Sequence, residues 1–404
     1  MKQVKLILLP VFLLGSLTFC TSKTESTTQE QESSLPQKDT EIRTGADRPS
    51  LYLPKLENKR VALAVNQTSV LTQNESKHLV DFLLEEGISV QKVFVPEHGF
   101  RGNADAGEKV ENQIDPQTGL PLVSLYGDSK KPSLEALADV DLVIFDIQDV
   151  GVRFYTFIST LHYLMEACAE QGKPLMIMDR PNPSGDYIDG PVLQPGFESF
   201  VGMHPIPVVH GLTVGELAHM INGEGWLKGG VKADIEVIPI ENWTHSEPYS
   251  LPVKPSPNLP NDLSIRLYPS LCFFEGTDIS LGRGTLFPFQ VYGYPDPKFG
   301  DFTFTPVSIE GMSKNPPHQN KVCYGKDLRS EALNHRFTLT YLLEAYRIAD
   351  GRAGFFNAFF DKLAGTDELR KAIVNGVSAA DIRESWKEDL ENYRRKRANY
   401  LIYD

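Results

Sequence analysis

From Lys59 onward, short apolar runs alternate with stretches in which apolar residues recur every three or four positions. RVALAVNQT, SVQKVFVPEHG, DLVIFDIQDVG and PLMIMDRPNP read as strands, and HLVDFLLEEG, SLEALADV and FISTLHYLMEACAEQG as helices, the first and last of these stopping at Gly87 and Gly172. Strands that are apolar almost throughout, rather than at every second position, belong to a sheet covered on both sides. The alternation predicts an α/β fold with a Rossmann-like open parallel sheet and helices on both faces, over residues 49–300. After about residue 300 the texture changes. A loop-rich passage, SKNPPHQNK, leads to TLTYLLEAYRIAD, FFNAFFDKLAG and SAADIRESWKEDLENYRRKRANYLIYD, which read as helices. In the last of these, Ser378 with Asp381 resembles a capping box, and Ile382, Trp386, Leu390 and Tyr393 share one face. A smaller, helix-rich α+β C-terminal domain is expected over residues 301–404.

The N-terminus follows a different logic. Lys2 and Lys5 precede an apolar run from Leu6 to Phe19 that ends at Cys20. The run is shorter than the roughly 20 residues that cross a bilayer, so residues 1–19 read as a signal peptide. Cys20, three residues after Leu17, fits the acylated cysteine of a lipoprotein, the alternative being ordinary secretion with a cysteine near the cleavage point. Residues 20–48 hold few apolar side chains to offset ordering entropy and read as a disordered tether. The expected protein is exported, periplasmic or on the cell surface, and held to a membrane by a lipid anchor on Cys20.

Charge narrows the partners. The chain carries 40 basic and 53 acidic residues, a net charge of −13, and removing residues 1–19 takes away Lys2 and Lys5 as well. Nucleic acid is not an expected partner, because phosphate binding draws on clustered Lys and Arg and the chain as a whole is net acidic. The other cysteines, Cys168, Cys272 and Cys323, form no C-x-x-C, so neither a disulfide scaffold nor a thiolate zinc site is indicated.

Polar residues gather where the apolar runs stop: Asn66, Gln67 and Thr68; Glu97 and His98; Asp146 and Asp149; Asp179 and Arg180. In an open parallel sheet the carboxyl ends of the strands share one edge, where ligands bind. Any one of these residues alone reads equally well as a helix cap or a loop hydrogen bond. Four strand ends with the same character point to a site. The sequence lacks G-x-G-x-x-G after the first strand, G-x-x-x-x-G-K-[ST], G-x-S-x-G and H-E-x-x-H, so dinucleotide, nucleoside triphosphate, serine esterase and zinc protease chemistry have no motif behind them.

Ten strings in order carry a resemblance: TGADR at 44–48, NQTSV at 66–70, VPEHGFRG at 95–102, DAGE at 105–108, TGLPLVSLYG at 118–127, FDIQDVGVRFYT at 145–156, DRPNPSG at 179–185, HGLTVGELA at 210–218, PSPNLP at 255–260 and FFEGTDISLGRGTLFPFQVYG at 273–293. Together they resemble the NamZ-type exo-β-N-acetylmuramidases, from about residue 44 to the closing YLIYD. The resemblance implies exo-lytic release of N-acetylmuramic acid from the non-reducing end of peptidoglycan-derived disaccharides or glycan chains, with no metal or organic cofactor.

The residues themselves suit that chemistry. Glycoside hydrolysis needs a proton donor for the leaving oxygen and a nucleophile or charge stabiliser on the other face of the sugar. Glu97, after the apolar run VFVP, is the leading donor, and the competing reading pairs it with Arg101 as a loop-shaping residue. For the opposite role Asp149 and Asp179 stand equal, with Asp146 close by. Retaining, inverting and acetamido-assisted routes all stay open. The lactyl carboxylate of muramic acid calls for guanidinium, which Arg153, Arg180 and Arg283 offer. Tyr155, Asn182, His210, Asn258 and Glu275 are candidates for hydroxyl and acetamido contacts, with His98 and Arg101 beside the donor. A non-catalytic cell-wall glycan-binding lipoprotein is the alternative reading of the same cleft.

Overall fold

The computed structural model describes residues 40–97, 99–101, 113–127 and 129–404. In chain order its strands are β1 Arg60–Val65, β2 Val70–Leu71, β3 Lys77–His78, β4 Ser89–Val95, β5 Gln113–Ile114, β6 Pro121–Ser124, β7 Leu142–Asp146, β8 Leu175–Met178, β9 Asp189–Val192, β10 Pro207–Val209, β11 Ile235–Ile238, β12 Val291–Tyr294, β13 Phe302–Phe304 and β14 Cys323–Asp327. Seven of them form the main sheet, ordered β11-β8-β7-β1-β4-β6-β5, with only β5 antiparallel to its neighbour. This is the doubly covered parallel sheet that the apolar runs predict.

The alternation of side chains explains why the runs are continuous. In β1, Ala62 and Ala64 enter one core while Val61, Leu63 and Val65 enter the other. Val143 and Phe145 of β7, and Leu175 and Ile177 of β8, join the first core, and Leu142, Ile144, Met176 and Met178 the second. Successive residues of a strand point to opposite faces, so a strand between two cores has no polar side. Helices Phe157–Gln171 and Val214–Gly223 seal the first core, and helices Pro49–Leu56 and Leu79–Glu85 the second.

Strand order also bears on where a ligand binds. The chain builds outward from β1 through β4 and β6, then returns to the other side of β1 with β7, β8 and β11. Loops that leave β1 and β7 therefore diverge at the switch point, and the loops that leave β4 and β7 stand on either side of β1 at the carboxyl edge.

The compact body begins at Glu41, earlier than the expected tether boundary at residue 48. Residues 44–48 are polar yet satisfy one another: Thr44 Oγ1 donates to Asp47 Oδ2 at 2.7 Å, and Thr72 Oγ1 donates to the same oxygen at 2.7 Å. Gly45 lets this turn seat against the sheet, since a Cβ there would lie 2.4 Å from Ile238 O and 2.7 Å from Asp179 N. The polar composition that reads as tether is here a buried hydrogen-bonded corner.

Beyond the main sheet, β12, β14 and β13 form a small antiparallel sheet, followed by helices Thr340–Ile348, Phe360–Ala364, Glu368–Val374, Ala379–Ser385 and Lys387–Arg397. The last pair reads from sequence as a single helix and breaks at Trp386. Ser378 caps the first of the two by accepting from Asp381 N at 3.2 Å.

Candidate active site

At the crevice between the β4 and β7 loops lies a cleft of about 350 Å³, lined by Glu97, Tyr126, Tyr155, Thr156, Asn258, Glu275 and Arg283 among others. Glu97 leaves β4 immediately after the buried Val95 and Pro96 and is itself half-buried. Thr156, at the N-terminus of helix Phe157–Gln171, donates its Oγ1 to Glu97 Oε2 at 3.2 Å. Tyr126, two residues past β6, lines the same cleft. Two strand ends and one helix start thus meet in one cleft.

The opposite wall is built by the segment from Asn258 to Phe289. Arg283 Nε donates to Glu275 Oε1 at 2.7 Å, and its guanidinium lies 5.1 Å from the Phe289 ring centroid. Burial works against the Arg283 charge, but Glu275 outweighs it and raises the pKa, so the group is a fixed cation. Asn258 donates to Met312 O at 2.8 Å, which leaves its buried Oδ1 without a partner. Tyr155 is buried, and its hydroxyl donates to Pro255 O at 2.8 Å. Burial first, then the charges of Asp149 and Glu97, push that phenol well above its ordinary range, so it stays protonated.

Other residues singled out on sequence lie elsewhere. Arg180 forks onto Asp146, Nε to Oδ1 at 2.5 Å and Nη2 to Oδ2 at 2.9 Å, with both side chains almost fully buried. Burial disfavours the Arg180 charge, and Asp146 more than restores it. Asp179 accepts from Tyr403 Oη and Thr213 Oγ1 at 2.7 Å each, and from Gly215 N at 2.9 Å. Burial nevertheless pushes its carboxyl up to about 6, against those donors. Arg153 is wholly buried and gives all its terminal hydrogen bonds to backbone carbonyls, those of Pro191, Ile206, Leu363 and Ala364, at 2.7–3.0 Å. Burial lowers it to about 9, which leaves it charged at neutral pH.

Asn182 bonds Leu212 O and Ser184 N, holding a loop rather than a ligand. Arg101 reaches Asp81 at 3.3 Å and Asp115 at 3.2 Å. His210 Nδ1 accepts from Leu212 N at 3.2 Å, so its Nε2 carries the proton and faces Asp149 Oδ2 at 3.6 Å. Asp149 Oδ2 accepts from Gly151 N at 2.7 Å while its buried Oδ1 has no partner. His98 lies outside the described residues. Among the described residues, no three His, Cys, Asp or Glu side chains are grouped as metal ligands.

Tyr126 and Thr156 escape the sequence reading although both sit in quoted strings. The rule that selects Glu97, a polar residue just past an apolar strand, applied to LVSLYG would have reached Tyr126. A second recess of about 360 Å³ opens beside Pro183, His245, Tyr249 and Arg266, and holds none of the residues singled out above. Its Arg266 is already forked onto Asp186 at 2.7 and 3.2 Å.

Comparison with known proteins gives the class first: the chain is a glycoside hydrolase. Residues 61–263 match the family model described as exo-beta-N-acetylmuramidase NamZ, N-terminal, and residues 266–403 match its C-terminal counterpart. The chain belongs to this family. It is 39% identical to the peptidoglycan beta-N-acetylmuramidase NamZ of Bacillus subtilis strain 168, over 97% of this chain and 98% of that protein. Two crystal structures of DUF1343 family proteins from Bacteroides fragilis NCTC 9343 superpose over 90% of this chain and 99% of theirs, one at 46% identity with a TM-score of 0.83, the other at 29% with 0.78.

Proposed function

We propose that the enzyme releases N-acetylmuramic acid from the non-reducing end of peptidoglycan-derived sugar chains, with Glu97 as the general acid. The name borne by the Bacillus subtilis relative supports the bond and the sugar. The observation that carries the role of Glu97 is its place: a half-buried carboxyl at a strand end, in a cleft at the carboxyl edge of the sheet, accepting a hydrogen bond from the Thr156 hydroxyl. The lactyl carboxylate meets Arg283 on the opposite wall. Arg153 and Arg180 are poor alternatives, because their hydrogen bonds are spent inside the protein.

Hydrolysis then begins as the sugar's C1–O bond lengthens and Glu97 passes its proton to the departing oxygen. Glu97→Gln is expected to lower kcat on the natural disaccharide about 10²- to 10⁴-fold. The loss should be smaller on a nitrophenyl glycoside of N-acetylmuramic acid, whose leaving oxygen needs little protonation. Wild-type turnover of the disaccharide by the folded variant would remove Glu97 from this role.

The same reading keeps the exported, lipid-anchored form, since the leader and Cys20 precede a body whose substrate is a cell-wall sugar. Full-length protein expressed in a bacterial host is expected to enter the detergent phase on detergent partitioning. Cys20→Ala should stay in the aqueous phase, and equal partitioning of the two would count against the anchor.

A further inference from the structure

A run of aromatic rings lines the cleft from one wall to the other. Tyr155 meets Tyr268 edge-on at 5.9 Å, Tyr268 meets Phe289 at 5.0 Å, and the Arg283 guanidinium stands over Phe289. At the first end of this run Tyr155 is followed in the chain by Thr156, whose hydroxyl bonds Glu97 at 3.2 Å. The turn 256–259 is tied to that end through the Tyr155 hydroxyl on Pro255 O, and Leu259 N closes it by donating to Ser256 O at 3.0 Å. Asn258 stands in this turn, 1% exposed, with its Nδ2 committed to Met312 O at 2.8 Å. That bond fixes which way the amide faces, so Oδ1 can only accept. Among the described residues that line the cleft, Asn258 Oδ1 is the buried side-chain atom without a partner. An acceptor left so is costly, and a donor on a ligand removes the cost.

We propose that Asn258 reads the 2-acetamido group of the terminal sugar, its Oδ1 accepting the amide N–H. This rests on the reading that puts the scissile C1–O bond at Glu97 and the lactyl carboxylate at Arg283. In N-acetylmuramic acid C2 stands between C1 and the C3 that bears the lactyl ether. A sugar that reaches from Glu97 to Arg283 therefore presents its acetamido group to the turn tied to the Glu97 end. An amide N–H donates and does not accept, which matches an acceptor locked in place by Met312, whereas a hydroxyl fits either kind of partner. Asn258 is thus a specificity residue, acting on which sugar is held rather than on proton transfer.

The test is calorimetric titration with N-acetylmuramic acid and with its analogue carrying 2-O-acetyl in place of the acetamido group, two sugars that differ only in N–H against ester oxygen. The wild type is expected to bind the N-acetyl sugar about 10- to 100-fold more tightly, the range for a buried acceptor left unpaired. Two variants are compared after their melting curves confirm folding: Asn258→Ala, and Asn258→Leu, which fills the space of the amide without an acceptor. Either should bring the ratio to within about twofold of unity, since any loss through the missing Met312 bond falls on both sugars alike. Equal binding of the two sugars by the wild type overturns the inference whatever the variants do, and so does a preference that a folded variant retains. Binding is read here without turnover. A wild type that prefers the N-acetyl sugar but hydrolyses no muramyl glycoside would sink the proposed activity and leave this contact standing, whereas binding of neither sugar removes both.

Discussion

At the scale of single residues, an arginine in a motif string gives no sign of whether it waits for a ligand or is already spent. Arg283 is the one of the three candidates that lines the cleft, so selectivity for muramic acid over N-acetylglucosamine is expected to depend on it. Arg283→Lys keeps the charge and loses the planar fork, and should lower the ratio of kcat/KM for the two glycosides by roughly 10- to 150-fold. An unchanged ratio would hand recognition of the lactyl group to something else, such as backbone N–H groups of the GRGT loop. Arg153 shows why the sequence is blind here. Asp149 stands four residues before it, yet the structure gives Arg153 four carbonyl oxygens from distant segments instead. Backbone acceptors leave no trace in side-chain pattern. Arg180 misleads differently: its adjacent Asp179 looks like the partner, but the fork closes on Asp146, one strand away. Glu97, Tyr155, Asn258, Glu275 and Arg283 do share the cleft, because strand ends and glycine-rich loops at the carboxyl edge are legible from apolar periodicity.

Among elements, the strands of the parallel sheet are readable because burial on both faces removes every polar position, whereas the break at Trp386 is not, since the sequence on either side keeps helical periodicity. The segment ending YLIYD is another element that periodicity misses. Tyr403 donates to Asp179 Oδ2 and accepts from Ile240 N at 2.9 Å, and the backbone N–H groups of Ile402 and Tyr403 reach Glu216 Oε1 at 2.9 and 3.3 Å. Glu216 also takes His245 Nε2 at 2.9 Å and closes the capping box of helix Val214–Gly223 with Thr213. An irregular segment thus completes the hydrogen bonding of two buried carboxyl groups under the sheet edge. Tyr403→Phe leaves the Ile240 N–H unpaired and removes one donor from Asp179. Urea unfolding is expected to show a loss of about 1–3 kcal/mol, the cost of an unsatisfied buried polar group. A change below about 0.5 kcal/mol, the scatter of ordinary surface substitutions, would mean that the bond is replaced by water.

For the molecule as a whole, buried titratable groups set how stability follows pH. Burial lowers the pKa of His78 to about 4 and lowers those of His162 and His204 as well. His78 is held neutral by geometry too, its Nδ1 accepting from Val80 N and its Nε2 meeting Asn66 O. His162 and His204 face one another at 3.0 Å. All three take up protons more readily when unfolded, so their contribution is complete above about 6.5 and is lost as pH falls toward the folded values. Asp179 runs the other way: its raised pKa means that stability from this group is present below the ordinary carboxylate range and lost as pH climbs through about 6. Burial raises the pKa of Asp146 as well and lowers those of His219 and His335, so histidines oppose aspartates in the same window. The melting temperature is expected to fall between pH 7 and pH 5, and a level or rising curve would show that the buried aspartates dominate.

The buried Arg153 guanidinium carries one more meaning. Its Nη1 holds the carbonyls of Pro191 and Ile206, while its Nη2 holds those of Leu363 and Ala364 at the end of helix Phe360–Ala364, where Gly365 at φ +73° leaves only enough room for the side chain to pass. The first pair of carbonyls lies in the stretch matched by the N-terminal family model and the second in the stretch matched by the C-terminal one. One cation is therefore solvated from both sides of that seam, and neither side can satisfy it alone. The two stretches are parts of a single cooperative body rather than interchangeable modules: a chimaera that joined the front of this chain to the back of a distant relative would inherit a stranded charge at its centre unless the Phe360–Gly365 turn came with it.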